Sequence, residues 1–176
     1  MAHPIVVIDT ETTGLDPAVD HIWEIGAIRI DDGQITDDWS VLVEHHEHLA
    51  AGLPDRYRAQ HDEACAAGEL VPITTVCALL EDTFAPAPDG TLPTLVGAIP
   101  WFDASFLRKI TGRDLWNHRL RCVESMTAGH LGRDVGGLSD CLTALDLEPI
   151  HEAHRALGDA HAAARIWQHL TTAGAW

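Results

Sequence analysis

The N-terminal part of the chain has short apolar runs separated by turns. Residues 4–8 form a continuous apolar run, typical of a strand buried on both faces of a sheet, and this run predicts a first strand that ends at Asp9. Residues 22–30 and 35–43 predict two more strands, and Asp31-Asp32-Gly33 between them predicts a tight hairpin turn. The chain therefore begins with a predicted three-stranded meander.

The pattern after the meander favours helices that alternate with strands. Residues 44–72 have only weak helical signals, whereas later segments have clear helical spacing or short apolar runs. This order predicts a mixed α/β sheet with helices on its faces, in one domain over residues 1–176. The predicted elements are a helix over 73–84, a strand over 92–99, a helix from 102 that ends near Gly112, a strand over 120–123, a short helix over 138–145 and a closing helix over 157–170.

The composition is that of a globular protein. With 176 residues, of which 46% are hydrophobic and 22% charged, the chain is long enough to bury one sizeable core. No apolar stretch approaches the roughly 18 residues that span a bilayer, and the N-terminus lacks the features of a signal peptide. We therefore expect a soluble cytoplasmic protein that does not bind membranes. The four cysteines are scattered, and we expect reduced, mostly buried thiols.

Acidic residues dominate the chain, which has a formal net charge of −16. This charge argues against a protein that binds nucleic acid through a basic surface all over. Residues 31–90 have a net charge of −11, but residues 108–133 have a net charge of +4, so that one face still suits a polyanion. Solvated arginines in scattered surface ion pairs explain the same segment equally well.

Two acidic residues, Asp9 and Glu11, stand at the predicted end of the first strand. The two-residue period of a strand places both carboxylates on one side. Like charges at the edge of a core repel and lose hydration unless a cation or strong donors offset them, so such a pair raises a pKa or binds a metal. The alternative is a pair of solvated acids that enter the Thr12-Thr13-Gly14 turn.

Two further acids and a histidine follow other predicted elements. Asp103 opens the helix after the fourth strand, where it either joins the acids at the sheet edge or serves as an N-cap. His154 precedes Asp159 by five residues, a spacing that on one helix turns the two side chains about 140° apart. If His154 precedes the closing helix and Asp159 lies in its first turn, both can face one site, and the helix dipole favours the Asp159 carboxylate.

These acids belong to three motifs that occur in order along the chain. They are Asp9-Thr10-Glu11-Thr12-Thr13-Gly14-Leu15, the pair Phe102-Asp103, and His154-x4-Asp159-Ala160. Over nearly its whole length the chain resembles the 3′–5′ exonucleases with three Asp, one Glu and one His, which include the proofreading epsilon subunit of bacterial DNA polymerase III and oligoribonuclease. The resemblance implies a ribonuclease-H-like fold with a five-stranded mixed sheet flanked by helices. It also implies hydrolysis that releases nucleoside monophosphates from a 3′ end.

The resemblance implies a role for each matched residue. Asp9 would bridge two Mg²⁺ or Mn²⁺ ions, and Glu11 and Asp159 would complete the first metal site. Asp103 would hold the second ion mostly through water, and His154 would take a proton from the attacking water. Two such cations about 3.5–4 Å apart stabilise the attacking and the leaving oxygen. The residues that would flank the terminal nucleotide are Thr12, Thr13 and Leu15.

The second motif departs from the family pattern. Ala98-Ile99-Pro100-Trp101 stands where the family usually has a His-Asn pair ahead of Phe-Asp. The metal-binding acids are intact, so this difference concerns how the substrate strand is held and how closely the family's substrates apply.

Other residues are candidates for substrate or metal contact. Trp101 and Phe102 precede Asp103, and Trp101 is expected either to stack on a base or to pack as a core or lid residue. In the basic segment, Arg108 and Arg113 are expected to hold phosphates behind the scissile one. The run His45-His46-Glu47-His48 has metal-ligating side chains, but no remote cysteine pair completes the set, which favours a solvated loop.

The sequence therefore predicts a metal-dependent 3′–5′ exonuclease that acts on single-stranded ends, with DNA slightly favoured over short RNA. A DNA polymerase is a candidate partner, as in proofreading. One alternative is a catalytically idle module that binds a polymerase or processing complex, against which the intact acids and His154 argue. The other is a phosphodiesterase for small nucleotides, which the acidic net charge favours.

Overall fold

The computed structural model describes residues 3–150 and 155–172, and its first three strands form the predicted antiparallel meander. In the turn between the second and third strands, Asp32 and Gly33 have φ values of 50° and 81°. Two central residues with positive φ make a turn whose twist matches that of the strands, which confirms the predicted hairpin. The strands are β1 (Ile5–Thr12), β2 (Ile22–Asp31) and β3 (Gln34–Val43).

In the part of the chain that the structure describes, the sheet has six strands rather than the five that the resemblance implied. Three short strands join the meander, namely β4 (Leu70–Val71), β5 (Thr94–Gly97) and β6 (Arg121–Cys122). The spatial order is β4-β3-β2-β1-β5-β6, with β4 parallel to β3, β5 parallel to β1, and β6 parallel to β5. The prediction lacked β4, because two residues are too few to produce a periodic pattern.

Six α-helices and one 3₁₀ helix complete the described part of the chain. Two of the α-helices, the first and the fourth, were not predicted because their buried faces are not apolar stripes. The first buries His61 and Ala64, and the fourth buries Thr127, whose hydroxyl donates to the Val123 carbonyl. The helices are the 3₁₀ helix (Glu47–Gly52), α1 (Asp55–Ala67), α2 (Ile73–Thr83), α3 (Pro100–Thr111), α4 (Val123–Leu131), α5 (Leu138–Ala144) and α6 (Ala156–Thr172).

The helices cover both faces of the sheet, and the alternation along β1 shows which face each layer covers. Val6 and Ile8 belong to the core under α2 and α3, whereas Ile5 and Val7 belong to the core under α4, α5 and α6. Full burial of a side chain of this kind contributes about 1.5–3 kcal/mol. Since the period of two continues along β1, the side chains two and four residues after Val7 lie on the α6 side.

Helix α6 packs against β1 and β2 through small residues. Its buried face includes Ala160, Ala163 and Ala164. A Cβ atom at Gly26 of β2 would lie 2.3 Å from the backbone of Ala156, so only glycine at this position allows the start of α6 to lie against the strand. Gly26 is the cross-strand partner of Asp9. This close approach of α6 to the sheet therefore lies beside Asp9, the first acid of the chain.

The structure tests two expectations from composition, namely that the thiols are reduced and mostly buried and that no segment spans a membrane. All four cysteines are thiols rather than halves of a disulfide, as predicted. Only Cys141 is buried, and the other three are partly exposed, so the expectation of mostly buried thiols is wrong. Among the residues that the structure describes, no helix has both the length and the apolar character needed to cross a membrane.

Candidate active site

Three carboxylates meet beside β1. Oxygen atoms of Asp9, Glu11 and Asp159 all lie within 4.8 Å of one another, although Asp159 follows Asp9 by 150 positions in the sequence. Asp9 and Glu11 lie on β1, and Asp159 lies in the first turn of α6. The two-residue period of the strand and the docking of α6 thus bring the first and third motifs together.

Strand β1 is longer than the sequence predicted. It ends at Thr12 rather than at Asp9, because β2 continues to pair with it beyond the acids. Asp9 lies opposite Gly26, and Glu11 lies opposite Glu24. Both acids are therefore held in a paired strand and are partly buried, so the interpretation as solvated acids entering a turn is wrong.

Asp103 reaches the same region from α3. It is buried, and one carboxylate oxygen accepts hydrogen bonds from the Thr10 amide at 3.0 Å and the Thr10 hydroxyl at 2.8 Å. The helix begins at Pro100 with Ile99 as its N-cap, so the alternative that Asp103 is an N-cap is wrong. We call Asp9, Glu11, Asp103 and Asp159 the acid cluster.

Burial and mutual repulsion make the acid cluster hard to ionise. Burial, followed by the charges of Asp103 and Asp159, raises the pKa of Asp9 well above its ordinary value. Burial and then the Asp159 charge raise the pKa of Glu11 to about 8. Burial raises the pKa of Asp103 to about 7, although the hydrogen bonds from Thr10 oppose the shift. A bound cation would lower these pKa values and offset the repulsion.

The donor set of the acid cluster fits the divalent metals that the family resemblance implies. All four side chains offer carboxylate oxygens, which are the ligands that Mg²⁺ and Mn²⁺ prefer. The raised pKa values of three of these acids indicate negative charge that nearby protein cations do not balance. The acid cluster therefore has both the atoms and the charge that a hard cation requires.

Glu24, which lies next to the acid cluster, has a counter-charge within the protein. Its side chain is 2% exposed, and the Arg155 guanidinium donates to both carboxylate oxygens at 2.8–3.1 Å. The Ala156 amide also donates to Glu24, at 3.4 Å. These contacts hold the start of α6 against β2 and so help to place Asp159. Sequence reasoning missed this pair, because no local pattern signals a contact across 131 positions.

A cleft of about 930 Å³ opens at the acid cluster. Its lining includes large apolar side chains that are unusually exposed, since Leu15 is 84% exposed and Trp101 is 58% exposed. Apolar side chains beside carboxylates suit a nucleotide. Its base can stack on the apolar side chains, and its phosphate can bind cations that the carboxylates hold. Five predicted contact residues line the cleft, namely Thr12, Thr13, Leu15, Trp101 and Phe102.

Part of the cleft lining comes from a segment that sequence reasoning passed over. Leu53, Pro54 and Tyr57, at the beginning of α1, line the cleft together with Gly52. The segment has weak helical periodicity, which hid it. Pro54 directly before the helix is a recognised start signal and was the available clue.

The loop after β1 is held by its own hydrogen bonds. The Thr13 amide donates to the His21 carbonyl at 2.8 Å, and the buried Thr13 hydroxyl accepts from the His21 amide at 3.0 Å. A Cβ atom at Gly14 would lie 2.3 Å from the Asp20 carboxylate, so a larger residue there would displace this side chain. The Thr13 amide and hydroxyl are thus both used within the loop, and Thr13 shapes the cleft lining beside Leu15.

The two predicted phosphate-binding arginines lie away from the cleft lining. Arg108 donates to Asp114 at 2.6 Å, and Arg113 donates to Glu81 at 2.9 Å. Neither arginine is among the described residues that line the cleft. This geometry favours the surface ion pairs considered as the alternative, and contact with distant phosphates stays a prediction.

The predicted general base, His154, lies outside the described residues. Helix α6 begins at Ala156, so Asp159 is in the first turn as the spacing argument required. The next residue in sequence after His154 is Arg155, which is bound to Glu24 beside Glu11. The neighbouring His161 lies on α6 and contacts Asp38 at 3.1 Å.

Known proteins with similar sequences are polymerases that contain far more than this chain. The chain is 30% identical over 169 residues to the PolC-type DNA polymerase III of Thermotoga petrophila, and equally similar to that of Thermotoga maritima. The alignment covers 92% of this chain but 11% of each polymerase. The chain thus spans about one tenth of the length of these relatives.

Solved structures with the same fold include exonuclease I. The chain matches a structure of exonuclease I with a TM-score of 0.71 and 21% identity, over 97% of this chain and 41% of the other. A complex of E. coli exonuclease I with a dT13 oligonucleotide matches with a TM-score of 0.70 and 21% identity, over the same shares of both chains. These matches confirm the predicted mixed α/β fold.

The family model RNase T, described as an exonuclease family, matches residues 6–167. This range includes all three motifs and every member of the acid cluster. Because the match takes in nearly the whole chain, the protein belongs to this exonuclease family, as the resemblance to the 3′–5′ exonucleases predicted.

Proposed function

We propose that this protein is a metal-dependent 3′–5′ exonuclease that removes nucleoside monophosphates from single-stranded ends. The observation that best supports this function is the acid cluster at one end of a cleft with exposed apolar walls. We propose that residues 1–176 form one exonuclease domain. An idle binding module would have no need for four carboxylates that repel one another.

The acid cluster would hold two Mg²⁺ or Mn²⁺ ions. Asp9 would contact both ions, with Glu11 and Asp159 at the first and Asp103 at the second. When bound, these ions stabilise negative charge on the attacking and leaving oxygens of the phosphodiester. Thr10 fixes the orientation of Asp103 through two hydrogen bonds, so that this carboxylate is in place before substrate arrives.

The cleft walls would hold the terminal nucleotides of a single strand. Trp101 and Leu15 offer exposed apolar surface, and the Tyr57 ring also lines the cleft. Base–aromatic stacking contributes about 1–3 kcal/mol per base and requires bases that are free of a duplex. We favour DNA over short RNA, because the similar proteins include DNA polymerases and an exonuclease bound to dT13.

His154 would act as the general base that takes a proton from the attacking water. Its ordinary pKa of about 6.5 leaves the ring neutral and able to accept a proton near pH 7. Its neighbour in sequence, Arg155, is anchored beside Glu11 through Glu24. A positioned base contributes about 10²–10⁴-fold, so His154→Ala should lower kcat by that factor. Metal and substrate binding should stay intact, and the acidic limb of the pH–rate profile should flatten.

Two other histidines provide controls for this assignment. His151→Ala and His161→Ala should keep most of the activity. The assignment of His154 is wrong if His154→Ala retains most activity while either of the other two variants loses it.

One set of assays tests the proposed activity. Single-stranded DNA and RNA oligonucleotides, labelled at the 3′ or the 5′ end, are incubated with the protein and Mg²⁺ or Mn²⁺. We expect mononucleotides from the 3′ end, faster cleavage of DNA, loss of activity in EDTA and recovery when the metal is restored. Activity that survives chelation would contradict the metal-dependent mechanism.

The alternatives correspond to other outcomes of the same assays. Binding without cleavage in either metal would indicate an idle binding module. Cleavage of a mononucleotide ester in preference to a long oligonucleotide would indicate a small-nucleotide phosphodiesterase. Cleavage from the 5′ end would contradict the proposed direction.

We also propose that the protein works with a DNA polymerase in the cytoplasm. The similarity to a tenth of a PolC-type polymerase supports a proofreading partnership, and four cysteines that form no disulfide favour a reducing compartment. Proofreading would appear as faster removal of a mismatched 3′ end when polymerase and exonuclease are combined.

A further inference from the structure

A second group of metal-ligating side chains lies between β3 and α1. His45 comes two residues after β3, and His61 and Cys65 are four residues apart on α1, which places them on one face of the helix. One ligand atom from each of the three lies within 4.8 Å of the other two. We call these residues the histidine–cysteine cluster.

This arrangement changes the interpretation of the histidine run at 45–48. His46 and His48 are exposed, as expected of a solvated loop. His45 is partly buried and turns toward α1, where a histidine and a single cysteine take the place of the missing cysteine pair.

Hydrogen bonds determine which nitrogen of each ring has the lone pair. His45 Nδ1 lies 2.7 Å from the Val43 carbonyl oxygen, and His61 Nδ1 lies 2.9 Å from the Asp62 carboxylate. Both partners are acceptors, so the hydrogen of each neutral ring belongs on Nδ1 and the lone pair on Nε2. The two Nε2 atoms face each other at 2.8 Å. Facing lone pairs repel unless a metal ion or an additional proton lies between them.

The distances favour a metal ion of tetrahedral geometry. With Zn–N distances of about 2.0–2.1 Å and a Zn–S distance of about 2.3 Å, the ligand atoms of a tetrahedral site are about 3.3–3.6 Å apart. His61 Nε2 and Cys65 Sγ are separated by 3.6 Å, within this range. The two Nε2 atoms would need to move apart by about 0.5 Å. Imidazole nitrogen and thiolate sulfur suit zinc, whereas Mg²⁺ prefers oxygen.

We propose that His45, His61 and Cys65 bind one zinc ion, with water as the fourth ligand. The Asp62 carboxylate would hold the His61 ring in the orientation that the ion requires, an arrangement that is common around zinc. His61, Asp62 and Cys65 also line an open cavity of about 470 Å³. This cavity would give the ion and its water access to the cluster.

Zinc at this position would stabilise one wall of the cleft. It would join the end of β3 to α1, the helix that supplies Tyr57 to the cleft lining. The His61 ring also packs edge-on against Trp23, another lining residue, with 5.4 Å between ring centres. The role that follows is structural, since the ion binds outside the acid cluster.

Cobalt absorption tests this site in the full chain, because Co²⁺ replaces zinc and its bond to a thiolate gives a strong near-ultraviolet band. CoCl₂ is titrated into the reduced protein, and ZnCl₂ is then added as competitor. We expect the thiolate band to saturate at one Co²⁺ per chain and to disappear when zinc displaces the cobalt. The acid cluster has no sulfur, so its metal binding cannot produce the band.

Variants show whether the band comes from the proposed ligands. Cys65→Ser should abolish it, and His61→Gln should abolish the tetrahedral visible spectrum. Asp62→Asn should weaken Co²⁺ and Zn²⁺ binding by about 10–100-fold while keeping all three ligands. Cys77→Ser and Cys122→Ser are matched controls, because each removes a partly exposed cysteine outside the proposed site. Both variants should keep the band.

Two results would overturn the proposal. One is a wild-type titration without a thiolate band. The other is a band that persists in Cys65→Ser with circular dichroism like that of the wild type. A band that Asp62→Asn leaves at wild-type affinity would show that the His61 orientation does not depend on Asp62. Because the readout is spectroscopic, these outcomes are independent of the proposed nuclease activity.

Discussion

Trp23 lines the cleft at the acid cluster and packs against His61 of the histidine–cysteine cluster, yet the two clusters are prepared for cations in different ways. The acid cluster consists of four carboxylates whose charges repel, and at least three of them have raised pKa values. The histidine–cysteine cluster consists of two imidazole rings and a thiol, with the ring orientations fixed by hydrogen bonds. In the acid cluster, repulsion between carboxylates favours binding of a cation. In the histidine–cysteine cluster, the oriented lone pairs of the rings favour it.

Ligand atoms that lie close together therefore do not by themselves indicate which metal a site binds. Hard oxygens bearing full charges suit Mg²⁺ or Mn²⁺, which retain waters and can exchange with substrate. Nitrogen and sulfur donors suit zinc, here proposed with three protein ligands and one water in a structural role. We therefore expect substitutions in the acid cluster to affect cleavage but not the cobalt–thiolate band. Loss of the ion pair beside the acid cluster and a change of pH should affect the stability of the fold.

The largest expected effect is the loss of cleavage when Asp9 is neutralised. Metal ions provide several kcal/mol of transition-state stabilisation, and each 1.36 kcal/mol is a factor of ten, so Asp9→Asn should lower kcat by at least about 10³-fold. The measurement is single-turnover cleavage of a labelled oligonucleotide. The same variant should keep the cobalt–thiolate band, because Asp9 does not belong to the histidine–cysteine cluster.

Asp37→Asn is the matched control for this prediction, since Asp37 is an exposed aspartate on the same sheet. It should cleave at the wild-type rate. If Asp9→Asn also lost the thiolate band, the two clusters would not be separate sites, and the comparison would fail.

The second effect concerns Glu24, the carboxylate beside the acid cluster whose charge the protein itself balances. Arg155→Gln leaves the buried Glu24 carboxylate without its ion-pair partner, and breaking such a pair costs about 3 kcal/mol. In a domain of this size each kcal/mol corresponds to about 2–4 °C in Tm, so we expect a decrease of about 6–12 °C. Thermal unfolding followed by circular dichroism measures it.

Neutralising both partners isolates the role of charge. Glu24→Gln combined with Arg155→Gln should recover a large part of the lost stability, because no unpaired charge remains. Arg119→Gln, which changes an exposed arginine, should shift stability by no more than about 0.5 kcal/mol. A double variant as unstable as Arg155→Gln would show that packing, rather than charge, holds the start of α6.

The smallest effect is a pH dependence of stability in the metal-free protein. The pKa of Glu11 is raised from 4.5 to about 8, so the folded protein binds this proton more tightly than the unfolded chain does. Its stabilising contribution is complete below the unfolded pKa and is lost as pH rises through the folded pKa. Between pH 6 and pH 8 the free energy of unfolding should therefore fall by about 1–3 kcal/mol.

Thermal unfolding in EDTA across this pH range tests the prediction. Glu11→Gln should reduce the slope, since the substituted amide does not titrate. Adding Mg²⁺ should restore stability more at pH 8 than at pH 6, because the cation competes with protons for the same oxygens. A wild-type slope equal to that of Glu11→Gln would mean that Glu11 is ionised without a metal.

The fold could be predicted well where the sequence is periodic. The meander, the α2 and α3 helices, α5 and α6 all have apolar positions that follow a strand or helix period. The missing elements lack that signal for physical reasons, since β4 has two residues and α1 buries a histidine and an alanine. The extension of β1 to Thr12 depends on pairing with β2, which is a tertiary effect.

The acid cluster could be recognised from its motifs, whereas the surrounding contacts could not. The spacing argument required Asp159 to lie in the first turn of the closing helix if it was to share a site with His154, and the structure has Asp159 there. The pairing of Glu24 with Arg155 and the meeting of His45 with Cys65 join segments with no shared local pattern. For His45, the sequence interpretation required a remote cysteine pair to complete a metal site. One histidine and one cysteine four residues apart on a helix also provide two ligands.

The docking of α6 against Gly26 has a consequence for the protein during its synthesis. Three members of the acid cluster are made by residue 103, but Asp159 is delivered only when α6 has emerged from the ribosome and packed on the sheet. A nascent chain that ends before this helix has an incomplete set of ligands. The enzyme is thus expected to stay inactive beside the translated message and to gain activity in a single late step, when its last described helix folds.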